Sequence, residues 1–144
     1  MKDISYDILD LMEEYGADAA GINRILESQT APEVLMALSP IRENLVEWIA
    51  IGKDEKVLQI GSGYGAVTGA LARKAGEVLV IDPRVENLEV SKRRHKNLTN
   101  IRYQEGEDKD LPGQHFDWVF LIGPETNEAV FGISRAKDNW DKQE

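Results

Sequence analysis

Lys56-Val57-Leu58-Gln59-Ile60-Gly61-Ser62-Gly63-Tyr64-Gly65-Ala66-Val67-Thr68 is the stretch whose pattern decides the fold. A short β-branched run turns on three glycines and leads into Val67, Ala70, Leu71 and Ala75, a spacing that suits a helix lying on a sheet. Gly76 is placed to stop that helix, and Glu77-Val78-Leu79-Val80-Ile81-Asp82 follows as a second apolar run. Strand, helix, strand in this order marks a right-handed parallel βαβ unit. The unit repeats: Pro83 opens a helix running to about Lys96, Asn100–Gln104 reads as a third strand, and Asp117–Ile122 as a fourth that closes on Gly123-Pro124. Strands this continuously apolar belong to a sheet covered on both faces.

Upstream, residues 1–53 read as helices. Ile4, Ile8, Leu11 and Tyr15 fall on one helical stripe, which Gly16 and Gly21 interrupt. Ile22, Ile25 and Leu26 make a shorter set, and Pro32 restarts the chain before Val34, Leu35 and Leu38. Ser39-Pro40 is a helix-start signal. It predicts one further helix with Ile41, Leu45, Trp48 and Ile49 on its buried stripe, so Trp48 is expected in the core.

Composition narrows the function. The chain has 144 residues, one domain's length, and 17 basic against 26 acidic side chains, net −9. Residues 1–50 hold 3 basic and 10 acidic groups, and residues 51–144 hold the other 14 and 16. Such a field argues against a polyanion, so no nucleic-acid partner is expected. The basic run Lys92-Arg93-Arg94-His95-Lys96 is expected to be a solvated face, because successive helical residues diverge and Glu89 pairs along the surface. With no cysteine and two histidines, no disulfide, thiolate nucleophile or metal site is expected. No run approaches the ~18 apolar residues of a membrane span. Residues 1–7 lack the apolar core of a secretory leader, and a cytoplasmic location is expected.

Three glycines between a strand and a helix let the backbone turn sharply and bring a ligand against free amides, which favour a carboxylate or phosphate. Asp82 ends the second strand, where an acidic side chain accepts hydrogen bonds from ribose hydroxyls. It is also well placed to cap the helix opened by Pro83, and the two roles compete for the same oxygens. Gly61, Gly63 and Ala66 satisfy the dinucleotide pattern G-x-G-x-x-G/A, while Gly61, Gly63 and Gly65 satisfy the G-x-G-x-G of nucleoside-containing methyl donors. The glycines alone leave both open. About fifty helical residues before the first strand are unusual for a dinucleotide domain.

The ordered set Val57–Thr68, Val80-Ile81-Asp82, Tyr103-Gln104-Glu105-Gly106-Glu107 and Phe116-Asp117-Trp118-Val119-Phe120 resembles the class I S-adenosylmethionine-dependent methyltransferases, over about residues 54–123. The resemblance implies a Rossmann-like parallel sheet of order 3-2-1-4 and S-adenosylmethionine as cofactor. Gly61, Ser62, Gly63, Tyr64, Gly65 and Gly123 would line the donor, Asp82 would hold its ribose diol, Glu107 or Asp108 would face the adenine amino group, and the acceptor pocket would lie near Gly123 and the N-terminal helices. Two departures stand out. Gln59 replaces the family's usual acidic residue two positions before the first loop glycine, and Gly123-Pro124-Glu125-Thr126 does not match the Asn/Asp-Pro-Pro-Tyr motif of amino-group methylators. No catalytic base is assigned, since methyl transfer can run on positioning.

Only twenty residues follow Pro124, too few for the family's remaining strands and helices. They suffice for one helix, or a short strand at Ala129-Val130-Phe131. The expected organisation is thus a single domain over 1–144, truncated at its C-terminal end. Residues 1–53 are a helical segment, 54–124 a donor-binding core and 125–144 a tail or helix. The fourth strand is left as an edge for a second copy or a partner domain to cover. The expected function is a donor-binding methyltransferase domain acting on an unidentified acceptor, with a small-molecule methyl donor as partner and catalytic activity left open. The alternatives are an NAD-binding oxidoreductase fragment and a non-catalytic interaction module.

Overall fold

The computed structural model describes residues 4–28, 31–107, 115–122 and 131–135. Helix α1 (Ser5–Tyr15) buries Ile8 and Met12, with Ile4 beneath its first turn, and ends at Gly16, whose φ of 95° and N–H to the Met12 carbonyl close the last turn. Asp18 caps α2 (Ala19–Ser28) by accepting the Gly21 N–H at 2.7 Å. Gly21 does not interrupt the helix as expected. It is buried inside α2, where a Cβ would fall 2.2 Å from the Gly16 carbonyl oxygen, so its role is close approach to the preceding turn. Pro32 opens α3 (Pro32–Leu38) at its first helical position.

Pro40–Glu43 form a 3₁₀ turn, followed by the one-turn α4 (Asn44–Glu47). The tighter turn changes the phase of the side chains that follow. Val46 and Ile49 turn inward, and Trp48, expected in the core, is 75% exposed.

The sheet is β1 (Lys56–Ile60), β2 (Glu77–Asp82), β3 (Ile101–Glu105), β4 (Trp118–Ile122) and β5 (Phe131–Arg135) in the order β3-β2-β1-β4-β5. The first four strands are parallel in the expected 3-2-1-4 order, with Val57 beside Val78 and Trp118. The expectation that β4 is an edge is corrected: β5 pairs with it antiparallel, Trp118 opposite Arg135 and Ile122 opposite Phe131. Helices α5 (Thr68–Lys74) and α6 (Val85–Arg94) are the crossovers from β1 to β2 and from β2 to β3. Both pack on the same face of the sheet, Ala70, Leu71 and Leu88 against Val57, Val78, Val80 and Phe120. Leu58, Leu79 and Ile81 alternate to the other face with Phe116. A second core joins the N-terminal helices to α6: Ile8, Met12, Ile22, Ile25, Val34 and Leu38 close around Val90, and Tyr64 of the glycine loop packs against them.

Candidate donor-binding loop

Gly61–Gly65 sits where β1 gives way to α5, at the C-terminal edge of the parallel strands. Gly61, Gly63 and Gly65 have φ values of 86°, 53° and 78°, and Tyr64 joins them at 56°. Glycine adopts this left-handed backbone without steric cost; tyrosine does so only when its surroundings hold it there.

What the loop can offer a ligand follows from which of its polar groups are already engaged. The side chain of Gln59, fully buried in β1, donates through Nε2 to the carbonyls of Gly61 at 2.9 Å and Ser62 at 3.2 Å. Its Oε1 accepts the Thr68 hydroxyl at 2.9 Å. The Gly63 carbonyl accepts the Ala66 N–H. The carbonyl of Tyr64 accepts from Arg94, and that of Gly65 meets His95 Nε2, both at 2.8 Å. All five carbonyls are therefore engaged. Of the amides, Gly61 N–H donates to Ile81, Ser62 N–H to Asp82, and Gly65 N–H to the Ser62 carbonyl. Among the described residues the Gly63 N–H has no acceptor, although Gly63 is buried. A buried amide without a partner is rare in a finished structure and marks a place where a ligand's acceptor fits.

Gln59 explains its own departure from the family pattern. A carboxylate there could accept from Thr68 but could not donate to two carbonyls.

Asp82, expected to hold a ribose diol or to cap the helix opened by Pro83, is engaged within the protein in this structure. Its carboxylate is 1% exposed; Oδ2 accepts the Ser62 N–H at 2.9 Å and the Ser62 hydroxyl at 2.8 Å, and Oδ1 accepts the Arg84 N–H at 2.9 Å in a turn entering α6. Asp82 braces the loop from below through these three bonds. Glu107 is exposed just beyond β3, and the preceding Gly106 N–H donates to the Asp82 carbonyl, which brings Glu107 to the same sheet edge as the loop. Asp108, Gly123 and the Gly123–Thr126 motif lie outside the described residues. No cluster of metal-ligating side chains occurs among the described residues.

Two residues of the site were missed in the sequence. Arg94 and His95 belong to the run expected to be a solvated face; Lys92 and Lys96 do lie exposed, but Arg94 and His95 turn inward onto the loop. Burial lowers His95 to about 4, against the opposing effect of its bond to Gly65 and with help from Arg94 and Arg73, so the ring is neutral at pH 7. The available signal was Gly69: a Cβ there would lie 2.6 Å from His95 Cε1, so a glycine inside a buried helix face made room for that ring.

Residues 57–131 match the family described as "Methyltransferase domain". The rRNA adenine N-6-methyltransferase of Bacillus licheniformis is 31% identical over 98 residues, which cover 66% of this chain and 34% of that protein. A probable ribosomal RNA small subunit methyltransferase A of Thermococcus sibiricus is 34% identical over 74 residues, 51% of this chain and 27% of that protein. Among solved structures, phosphoethanolamine N-methyltransferase 1 of Haemonchus contortus, in complex with phosphoethanolamine and S-adenosylhomocysteine, superposes with a TM-score of 0.53 at 26% identity. The match covers 81% of this chain and 25% of that one. The matched part thus spans between about a quarter and a third of the length of these curated relatives. The dinucleotide alternative gives way to the methyltransferase family. The expectation of no nucleic-acid partner is likewise overturned, since these relatives are by name enzymes of ribosomal RNA. Net charge reports only the field of the residues summed, and most of the relatives' length lies outside the matched part. No described helix is long and apolar enough to cross a membrane.

Proposed function

The chain belongs to the family of methyltransferase domains, and from that premise we propose that its glycine loop binds S-adenosylmethionine for transfer of a methyl group to an acceptor atom. The observation that carries this reading is the buried Gly63 N–H, left without an acceptor in a loop whose carbonyls are all held elsewhere. An amide so placed suits the donor's carboxylate or a ribose oxygen. The residues fit the group in this respect and in the left-handed turn that glycine permits at 61, 63 and 65. Asp82 holds the Ser62 N–H and hydroxyl beneath this turn and stands at the strand end where the donor's ribose diol is expected.

Gly61, Ser62, Gly63, Tyr64 and Gly65 then line the donor, and Glu107 approaches its adenine end. The donor-binding core falls within 54–124, and the described N-terminal helices pack on α6 and the loop. When bound, the donor supplies a methyl group on a sulfonium, which an acceptor lone pair takes up by displacement to leave S-adenosylhomocysteine. The chain's contribution is orientation, a fixed loop whose amide is aimed before the donor arrives. RNA is the acceptor class to test first, given the relatives that match by sequence. A cysteine-free chain using such a donor fits the cytoplasm.

Calorimetric titration with S-adenosylhomocysteine and with NAD tests the reading. Heat with the first and none with the second is expected, together with a shift of the Gly63 amide resonance. Heat with NAD alone, or with neither, overturns it.

A further inference from the structure

The guanidinium of Arg94 bonds at once to parts of the chain far apart in sequence. Nη1 donates to the Tyr64 carbonyl at 2.8 Å and to the Ala37 carbonyl at 3.3 Å, while Nη2 donates to the Leu38 carbonyl at 3.3 Å. Ala37 and Leu38 end α3, where backbone carbonyls have no partner within the helix and attract a cation. Tyr64 is the one non-glycine residue of positive φ among the described residues, the point of the loop that most needs an external hold.

We infer that Arg94 is a positioning residue that ties the N-terminal helical segment to the glycine loop, so that the loop's ligand-binding shape depends on α3 staying in place. This rests on the donor-binding reading of the loop.

Packing supports the tie. Val90, one turn before Arg94 on α6, is buried among Ile8, Ile25, Val34 and Leu38, and Tyr64 packs partly against the same cluster. The N-terminal helices, α6 and the loop therefore form one contiguous body, and the Arg94 fork is its polar crosslink. His95 acts beside it: the neutral ring holds the Gly65 carbonyl through Nε2, in the slot that Gly65 and Gly69 leave open. Lysine could not replace the fork, because a single ammonium on a flexible stem lacks the planar donors that span three carbonyls.

Coupling of this kind is reciprocal: if α3 holds the loop, a ligand on the loop must also steady α3. The test is hydrogen exchange of the full chain with and without S-adenosylhomocysteine, for the wild type, Arg94→Ala and Arg94→Lys. In the wild type the ligand is expected to slow exchange at residues 61–66 and also at 35–39, which include the Ser39 N–H bonded to Leu35. Arg94→Ala is expected to lose the ligand's effect at 35–39 and to bind about tenfold more weakly, while residues 57–60 and 77–81 exchange as before. Arg94→Lys should recover part of the affinity and less of the coupling. Wild-type affinity in Arg94→Ala, or ligand protection of 35–39 that persists in it, overturns the inference. If Arg94→Ala does not fold, Arg94→Lys decides on the same readouts.

If the wild type itself does not bind S-adenosylhomocysteine, the donor reading fails separately. The tie is then judged in the free protein, where Arg94→Ala must speed exchange at both 35–39 and 61–66. Acceleration at one segment alone overturns it.

Discussion

Asp82→Ala separates the brace from the ribose acceptor. The substitution removes a carboxylate that accepts three hydrogen bonds at 2.8–2.9 Å in a site 1% exposed. Hydrogen bonds to a charged partner contribute about 1.5–3 kcal/mol each, but three on one carboxylate are not additive. Ser62, itself fully buried, would keep an N–H and a hydroxyl without acceptors. Each buried neutral donor left without an acceptor costs about 1–3 kcal/mol, and with less than full additivity the expected loss is about 3–5 kcal/mol. That is a large part of the ~5–15 kcal/mol that holds a domain folded. Urea denaturation followed by tryptophan fluorescence measures it as a fall in the midpoint. Ser62→Ala in the wild type should cost about 1–2 kcal/mol and in the Asp82→Ala background much less, because its hydroxyl has then already lost its acceptor. A loss below about 1 kcal/mol combined with a large drop in affinity for S-adenosylhomocysteine would refute the bracing argument. The carboxylate would then serve the ligand rather than Ser62.

Two further outcomes follow from the loop's polar network. Gln59→Glu, which restores the acidic residue usual in the family, is expected to destabilise this chain by about 1–3 kcal/mol near neutral pH, because a carboxylate oxygen replaces the donor that faces the Gly61 and Ser62 carbonyls. The loss should shrink in acid as the new group protonates and can donate again; a midpoint equal to the wild type's at pH 7 would contradict the donor role of the amide. For His95, the folded group titrates near 4 against 6.5 for the free side chain. Its contribution to stability is therefore complete above pH 6.5 and is lost as pH falls toward 4, where the unfolded chain takes up a proton that the folded one does not. His95→Gln keeps a donor for Gly65 and should flatten this window in denaturation midpoints measured from pH 4 to 7; an unchanged slope would place the titration elsewhere.

Much of the fold was legible because the signals are local. Val57–Ile60 and Val78–Ile81 carry β-branched apolar runs and Gly61–Gly65 marks the turn, while the order of the first four strands came with the resemblance to the methyltransferases. Trp48 was misread because a helical stripe presumes α geometry throughout, and the 3₁₀ turn at Pro40–Glu43 shifts the phase. The edge at β4 was misread because Phe131–Arg135 pairs antiparallel, which the parallel pattern before it does not foreshadow. Lys92 to Lys96 was read as solvated because divergence around a helix says how far side chains spread, not what each of them meets.

Sequence alone settled that a glycine turn joins a buried strand to a helix in a parallel α/β sheet, since each of those features is encoded by neighbours along the chain. Which polar atoms of that turn remain open to a ligand was settled only by the folded chain. The groups that close the others are Gln59 from within β1, Asp82 from β2, and Arg94 and His95 from the end of α6. A hydrogen bond depends on ångströms and angles between atoms that the fold brings together, and for Tyr64 and Arg94 that distance along the chain is 30 residues.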